Sequence, residues 1–353
     1  MTVLELLRPE IRELVAYQAA SSDIDAVRLN ANETPWREID DKTERGLNRY
    51  PPARPTELAS KLAARYGVTA EQLLVTRGSS EAIDLIIRGT CRAGEDNILV
   101  QTPGFAMYAV YAKIQGAGIK QLPLVEADGF RLDAKRLLAT VDANTRVVFL
   151  CSPHNPTGNA FERTAIDAVV AGLAGRAIVV IDEAYREFSD QDCVDLLSHP
   201  HVVLLRTLSK AYGLAGIRCG ALLAAPELVS TLAAVLPPYT FPTPCIELAM
   251  ASLEPEATST AEERVRLLVS ERVRLAGALA DLPGVERVFA SHANFLLVRV
   301  TDAADWTQIL RRRGILIRRF DQDPSLEGCL RITIGRPEDN DRLLEILATG
   351  GDA

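Results

Sequence analysis

Seven short apolar runs recur through the middle of this 353-residue chain, and stretches of helical pattern separate them. The runs are Leu73–Thr76, Ile98–Gln101, Gly118–Leu124, Val147–Cys151, Ala177–Ile181, Val202–Arg206 and Gly220–Ala224. Several are continuously apolar instead of alternating, which is what a strand needs when helices cover both of its faces. Glu81–Cys91 and Arg163–Leu173 are amphipathic at helical spacing and fall between such runs, the βαβ signature. The pattern predicts an α/β fold: a large domain over 48–251 built on a mainly parallel seven-stranded sheet.

Length demands something more, because a single core rarely grows past roughly 250 to 300 residues. After Glu254-Pro255 the pattern changes. A long charged helix, near Ser259–Leu282, precedes Gly284–Phe289, Asn294–Val300, a helix near Ala304–Arg313, Ile315–Arg318 and Cys329–Ile334. These short elements predict a smaller α+β domain over 252–353. The segment 1–47 is too short to fold alone and is expected to be an arm packed against that smaller domain.

A net charge of −8 argues against nucleic acid as a partner, since phosphate backbones call for a basic face. No window approaches the roughly 18 uninterrupted apolar residues of a membrane span, and the N-terminal residues do not read as a signal peptide. The six cysteines are scattered without CxxC spacing and sit in or beside apolar runs, so they read as reduced core residues and no metal site is expected. A soluble cytoplasmic protein is the expectation.

The chemistry gathers where strands end. Gly78-Ser79-Ser80-Glu81 follows the first run and opens a helix, whose N-terminal N–H groups can grip an anion; a plain tight turn is the competing reading. Ser152-Pro153-His154-Asn155-Pro156-Thr157-Gly158 makes an irregular loop after the fourth run, at the usual binding edge of an α/β sheet, although Asn-Pro-Thr-Gly is also a good turn. His154 reads as a loop residue. Asp182, in Ile181-Asp182-Glu183-Ala184-Tyr185, ends a buried run, where a carboxylate is costly unless a cation or protonated group faces it; a helix-capping Asp is the alternative. In Arg206-Thr207-Leu208-Ser209-Lys210, a lysine directly after a strand and flanked by hydroxyls can attack a carbonyl if its site keeps it unprotonated. Arg218 can then neutralise a phosphate bidentately. Arg318 ends an apolar run and Arg331 lies inside Cys329–Ile334, so each calls for an anionic partner, structural or substrate.

Taken together, Leu29–Glu33, Arg49-Tyr50-Pro51, Arg77–Glu81, Ser152–Gly158, Asp182–Tyr185, Thr207–Arg218 and Leu330–Gly335 resemble the histidinol-phosphate aminotransferase family, fold-type-I pyridoxal 5′-phosphate (PLP) enzymes of the class II aminotransferases. The resemblance runs in order over nearly the whole chain. It implies that Lys210 holds PLP as a Schiff base and later shuttles the proton between the substrate α-carbon and the cofactor C4′. It implies that Asp182 pairs with the pyridine nitrogen, that Asn155 and Tyr185 contact the ring oxygen, and that Ser79, Ser80, Thr207, Ser209 and Arg218 hold the phosphate. Tyr50 would reach that phosphate from the other subunit, which implies a homodimer with shared active sites. Arg331 would bind the substrate α-carboxylate, Arg318 and Tyr17 a substrate phosphate or side-chain carboxylate, and Asn32 would line the substrate pocket. Phe105 stands where relatives often stack a tyrosine on the ring, so stacking carries over but any hydroxyl bond does not. His154 replaces a more usual asparagine.

The implied reaction converts L-histidinol phosphate and 2-oxoglutarate to imidazole-acetol phosphate and L-glutamate, a step of histidine biosynthesis. An aromatic amino-acid aminotransferase and a PLP-dependent decarboxylase of an amino-acid phosphate are the nearest alternatives, because a cofactor site alone does not dictate which bond breaks. A non-catalytic PLP-binding regulator would belong to another class. The acidic balance and the absence of any stretch resembling a DNA-binding domain oppose it.

Overall fold

The computed structural model describes residues 2–17, 27–321 and 323–349. All seven expected strands form, as β1 (Leu73–Arg77), β2 (Asn97–Thr102), β3 (Gly118–Pro123), β4 (Thr145–Cys151), β5 (Ile178–Asp182), β6 (Val202–Thr207) and β7 (Cys219–Leu223). They build one sheet in the order β1-β7-β6-β5-β4-β2-β3. Neighbours from β3 to β6 pair in parallel, whereas β7 runs antiparallel to both β6 and β1. Every residue of β5 and β6 is buried, which explains why these runs lack polar alternation. One face packs on the helices Gly78–Thr90 and Pro226–Val235 through Ile83, Ile86, Leu228 and Leu232. The other packs on Thr56–Tyr66 and Arg163–Leu173 through Leu58, Leu62, Ile166 and Val170.

A second sheet of four antiparallel strands follows: β8 (Val285–Val288), β9 (Phe295–Val300), β10 (Arg318–Arg319) and β11 (Cys329–Thr333), in the order β10-β11-β9-β8. The helix Pro255–Ala280 starts earlier than the expected Ser259, with Pro255 in its first turn, where a missing N–H costs nothing. The strand expected over Ile315–Arg318 is shorter and shifted to Arg318–Arg319, while Ile315 and Ile317 pack sideways against the core beneath this sheet.

The first residues do not behave as an arm on the smaller domain. Val3, Leu6 and Leu7 are buried in the cluster that contains Ile83 and Leu232, and the Arg8 N–H donates to Gly89 O at 2.9 Å. Farther along, the Glu44 N–H donates to Glu247 in the helix Thr243–Ser252, again in the large unit. The apolar faces of helices Gly78–Thr90 and Pro226–Val235 extend past the sheet, and the short turn Val3–Leu6 covers them.

One buried ion pair clamps the ends of the two central strands. Arg206, 1% exposed, donates from Nε to Glu183 Oε2 at 2.9 Å and from Nη2 to Asp192 at 2.7 Å. Glu183 also accepts the Cys193 N–H at 2.9 Å, and the guanidinium lies 5.0 Å from the centre of the Tyr66 ring. Removing one partner of such a pair leaves an uncompensated charge in the core. Arg206→Ala is therefore expected to lower the unfolding free energy by about 3 to 5 kcal/mol, measured by urea denaturation followed by circular dichroism.

Candidate active site

β4, β5 and β6 end side by side, with Cys151 in register with Asp182 and Asp182 in register with Leu205. The loops that leave these ends, together with the start of helix Gly78–Thr90, surround a cavity of about 880 Å³. Ser79, Ser80, Phe105, Asn155, Asp182, Tyr185, Thr207, Ser209, Lys210, Arg218, Arg318 and Arg331 all line it. Twelve of the residues singled out from sequence thus converge on one space, drawn from both sheets. Tyr17, Asn32 and Tyr50 do not line it: Tyr17 is 67% and Tyr50 51% exposed, and Asn32 is exposed with a left-handed φ of 56°. Glu33 knots their neighbourhood together by accepting from Arg28, from Arg49 and from the Tyr50 N–H.

At the floor, Asp182 is 2% exposed. Its Oδ1 accepts the Ala184 N–H at 3.1 Å and its Oδ2 accepts the Tyr108 hydroxyl at 2.8 Å. Burial pushes its carboxyl upward, and these two donors together with the charge of Lys210 oppose the rise. Tyr108 was not among the residues that sequence alone nominated. Its only signal was its place in the first turn of the helix Met107–Gln115, three residues after Phe105.

At one end the site is built for an oxyanion. Ser79 and Ser80 occupy the first turn of helix Gly78–Thr90, where unpaired N–H groups point outward. The Thr207 hydroxyl donates to Ser209 Oγ at 2.9 Å and Arg218 Nη1 reaches the same oxygen at 3.4 Å. Glycine is required here on packing grounds. A Cβ on Gly220 would stand 2.6 Å from the Gly78 carbonyl carbon and 2.7 Å from the Ser79 nitrogen, and one on Gly78 would stand 2.6 Å from Arg218.

The opposite wall is cationic. Arg331 and Arg318 face each other across the β10–β11 pair. Arg331 Nη1 donates to Asn155 Oδ1 at 2.5 Å, and Asn155 Nδ2 donates to the Tyr185 hydroxyl at 3.2 Å. The Arg331 guanidinium lies 5.3 Å and 5.8 Å from the ring centres of Phe295 and Phe320. Among the described residues no carboxylate pairs with Arg331 or Arg318, although Arg319 beside them pairs with Asp321. Two cations without a structural anion point to an anion that arrives from outside. Lys210 opens into the same space with Nζ 5.6 Å from the centre of the Tyr185 ring. Burial, then the charges of Arg331 and Arg218, lower its pKa, which favours the neutral, nucleophilic amine.

A sheet-end cavity with a buried aspartate, an anion cradle and a lysine of lowered basicity is what a cofactor-dependent transferase requires, and comparison with known proteins assigns that class. The sequence profile described as "Aminotransferase class I and II" matches residues 16–347, and the chain belongs to that family of PLP-dependent enzymes. A histidinol-phosphate aminotransferase of Stenotrophomonas maltophilia (strain R551-3) is 44% identical over 352 residues, spanning 98% of this chain and 96% of its own. The histidinol-phosphate aminotransferase of Xylella fastidiosa (strain 9a5c) is 45% identical over the same span. Among solved structures, the histidinol-phosphate aminotransferase of Sinorhizobium meliloti in complex with pyridoxal-5′-phosphate superposes with a TM-score of 0.77 at 24% identity, covering 86% of this chain and 83% of its own. That likeness speaks to the fold. The residues present fit the cofactor on their own evidence: a buried carboxylate with no cation at hydrogen-bond distance, and an anion cradle made of Ser79 and Ser80 at a helix N-terminus with Thr207, Ser209 and Arg218.

His154 supports the Asn155 loop from within. It is 1% exposed, its Nδ1 lies 2.6 Å from the Thr157 hydroxyl, and burial lowers its pKa from 6.5 to about 3. The unfolded chain takes up a proton near pH 6.5 that the folded chain refuses until near pH 3, so stability is untouched above 6.5 and drains away as pH falls below it. Lowering the pH from 7 to 5 should cost about 2 kcal/mol through this residue alone. His154→Asn is expected to remove that part of the slope, read from urea denaturation at the two pH values.

Proposed function

We propose that this chain transfers an amino group reversibly between L-histidinol phosphate and 2-oxoglutarate, giving imidazole-acetol phosphate and L-glutamate, as a step of histidine biosynthesis. The observation that carries the reading is the Arg331–Arg318 wall, cationic and without a structural carboxylate, above the buried Asp182. Two half-reactions share one site, so its anion pocket must accept a phosphate in one and a carboxylate in the other. A guanidinium fork matches both groups. The identity of 44–45% to curated histidinol-phosphate aminotransferases over nearly full length supports the same substrates.

Bound PLP supplies an electron-withdrawing ring that stabilises negative charge at the substrate α-carbon. The chain's own residues do the rest. Asp182 would pair with the pyridine nitrogen, and Asn155 and Tyr185 would donate to the ring oxygen. Ser79, Ser80, Thr207, Ser209 and Arg218 would hold the phosphate, and Phe105 would offer its ring for stacking. In the glutamate half-reaction Arg331 would orient the α-carboxylate and Arg318 would hold the distal carboxylate; Tyr17, exposed and outside the cavity of its own chain, would join that anion pocket from the partner subunit. Lys210, whose basicity burial and its cationic neighbours lower, would take the proton from the α-carbon and return it on the other side of the transfer.

In this reading residues 48–251 are the cofactor-binding domain and 252–353 the small domain that supplies Arg318 and Arg331. The protein works as a cytoplasmic homodimer with shared sites. Tyr50 and Asn32, exposed and outside their own cavity, then complete the partner's site. Among the described residues no helix is long and apolar enough to cross a membrane.

The test follows the visible band of the purified holoenzyme on adding histidinol phosphate without a keto acid. The band should give way to that of the aminated cofactor, and 2-oxoglutarate should restore it. A response to phenylalanine or tyrosine but not to histidinol phosphate would point to an aromatic aminotransferase. Histidinol phosphate has no carboxyl group to lose, so the decarboxylase reading is tested separately: carbon dioxide released from an amino-acid phosphate would point to it. Lys210→Ala should fold with an unchanged far-ultraviolet spectrum and show no detectable turnover; activity in that variant would sink the assignment.

A further inference from the structure

The Tyr108 hydroxyl belongs to none of the groups that face substrate, yet it is the closest side-chain donor to Asp182, at 2.8 Å from Oδ2. Tyr108 is 4% exposed. Its ring stacks on Phe149 with centres 4.5 Å apart and planes 15° apart, and meets Phe105 edge-on at 5.5 Å. Phe105 in turn lines the cavity. The ring is thus gripped on two sides, and the hydroxyl beyond it has little freedom. Burial and the negative charge of Asp182 hold the phenol protonated, so toward the carboxylate it can only donate. The thiol of Cys151 lies beside the same hydroxyl and is itself kept protonated by burial. Asp182 therefore has two neutral donors, one on each oxygen, and no paired cation at hydrogen-bond distance among the described residues.

We propose that Tyr108 is a positioning residue for the reaction, whose hydroxyl keeps Asp182 ionised and aimed so that the cofactor's pyridine nitrogen stays protonated. The inference rests on the reading that Asp182 faces that nitrogen. A carboxylate and a pyridine share one proton, and the less basic partner leaves it with the other. A hydrogen bond to the carboxylate lowers its basicity and so favours the protonated ring. Without the phenol, Oδ2 has no donor of its own, the carboxylate becomes more basic, and the proton moves toward it.

The experiment compares wild-type and Tyr108→Phe holoenzymes reconstituted with PLP labelled with ¹⁵N in the ring. The wild-type resonance should lie in the protonated range, and the Tyr108→Phe resonance should move toward the unprotonated one. Because a hydrogen bond to a charged group is lost, kcat should fall about tenfold. KM for 2-oxoglutarate should stay within about twofold, because substrate contacts are untouched. Phe149→Leu serves as the structural control, since it loosens the stack but keeps the hydroxyl: it should lower the melting temperature without moving the resonance. An unmoved resonance in Tyr108→Phe, or an equal movement in Phe149→Leu, would overturn the role of the hydroxyl while leaving Asp182 in place. A wild-type resonance already in the unprotonated range would instead remove the reading of Asp182, and this inference with it.

Discussion

A carboxylate at the end of a fully buried strand is expensive, and Asp182 is held there by the geometry of a parallel sheet. Parallel strands all end at one edge, so β4 and β5 deliver Cys151 and Asp182 side by side, and β6 carries Thr207 to the same edge two residues beyond Leu205, the register partner of Asp182. Cys151, Asp182 and Thr207 are all buried at that edge, so each polar group on it needs a protein or ligand partner. The Ala184 N–H and the Tyr108 hydroxyl meet part of the need of Asp182. What they leave unmet is a positive charge, which is what a protonated pyridine offers.

The two sides of the cavity come from different sheets. Arg331 reaches Asn155, and Asn155 reaches Tyr185, so a continuous run of hydrogen bonds ties β11 of the small sheet to the loops after β4 and β5. Phe295 and Phe320 pack against the guanidinium and fix its plane. An anion that binds Arg331 is thereby registered against the floor of the cavity to within the length of a few bonds. Orientation of that kind supplies much of what such an enzyme contributes beyond the cofactor's own chemistry.

Legibility differed between strands and contacts. The seven runs of the large sheet were visible because continuous apolarity is demanded wherever helices cover both faces, and helix Arg163–Leu173 appeared with its observed bounds. Arg318–Arg319 was harder: two residues carry too little periodicity to mark a strand, and the preceding isoleucines serve the core sideways. The first residues were assigned to the wrong neighbour, since a three-residue apolar turn says that it wants cover but not whose. Most of the twelve cavity residues were legible because they stood at or just past the end of a large-sheet strand, where an α/β sheet binds its ligands, whereas Arg331 stood out as a charge inside an apolar run. Tyr108 and the Arg206–Glu183 clamp escaped, since their partners lie 74 and 23 residues away in sequence.

By itself the sequence determined the order of strands and helices, the two-sheet organisation and the residue types that meet at the strand ends. All of these follow from local periodicity and from the cost of burying polar groups. Tertiary structure alone decided which donor serves Asp182, which face receives the N-terminal turn, and that Arg331 reaches across to Asn155. It also left Tyr17, Asn32 and Tyr50 outside the cavity of their own chain. Such pairings depend on how sheets and helices stack in space, and no pattern of neighbouring residues encodes a distance between segments far apart in the chain.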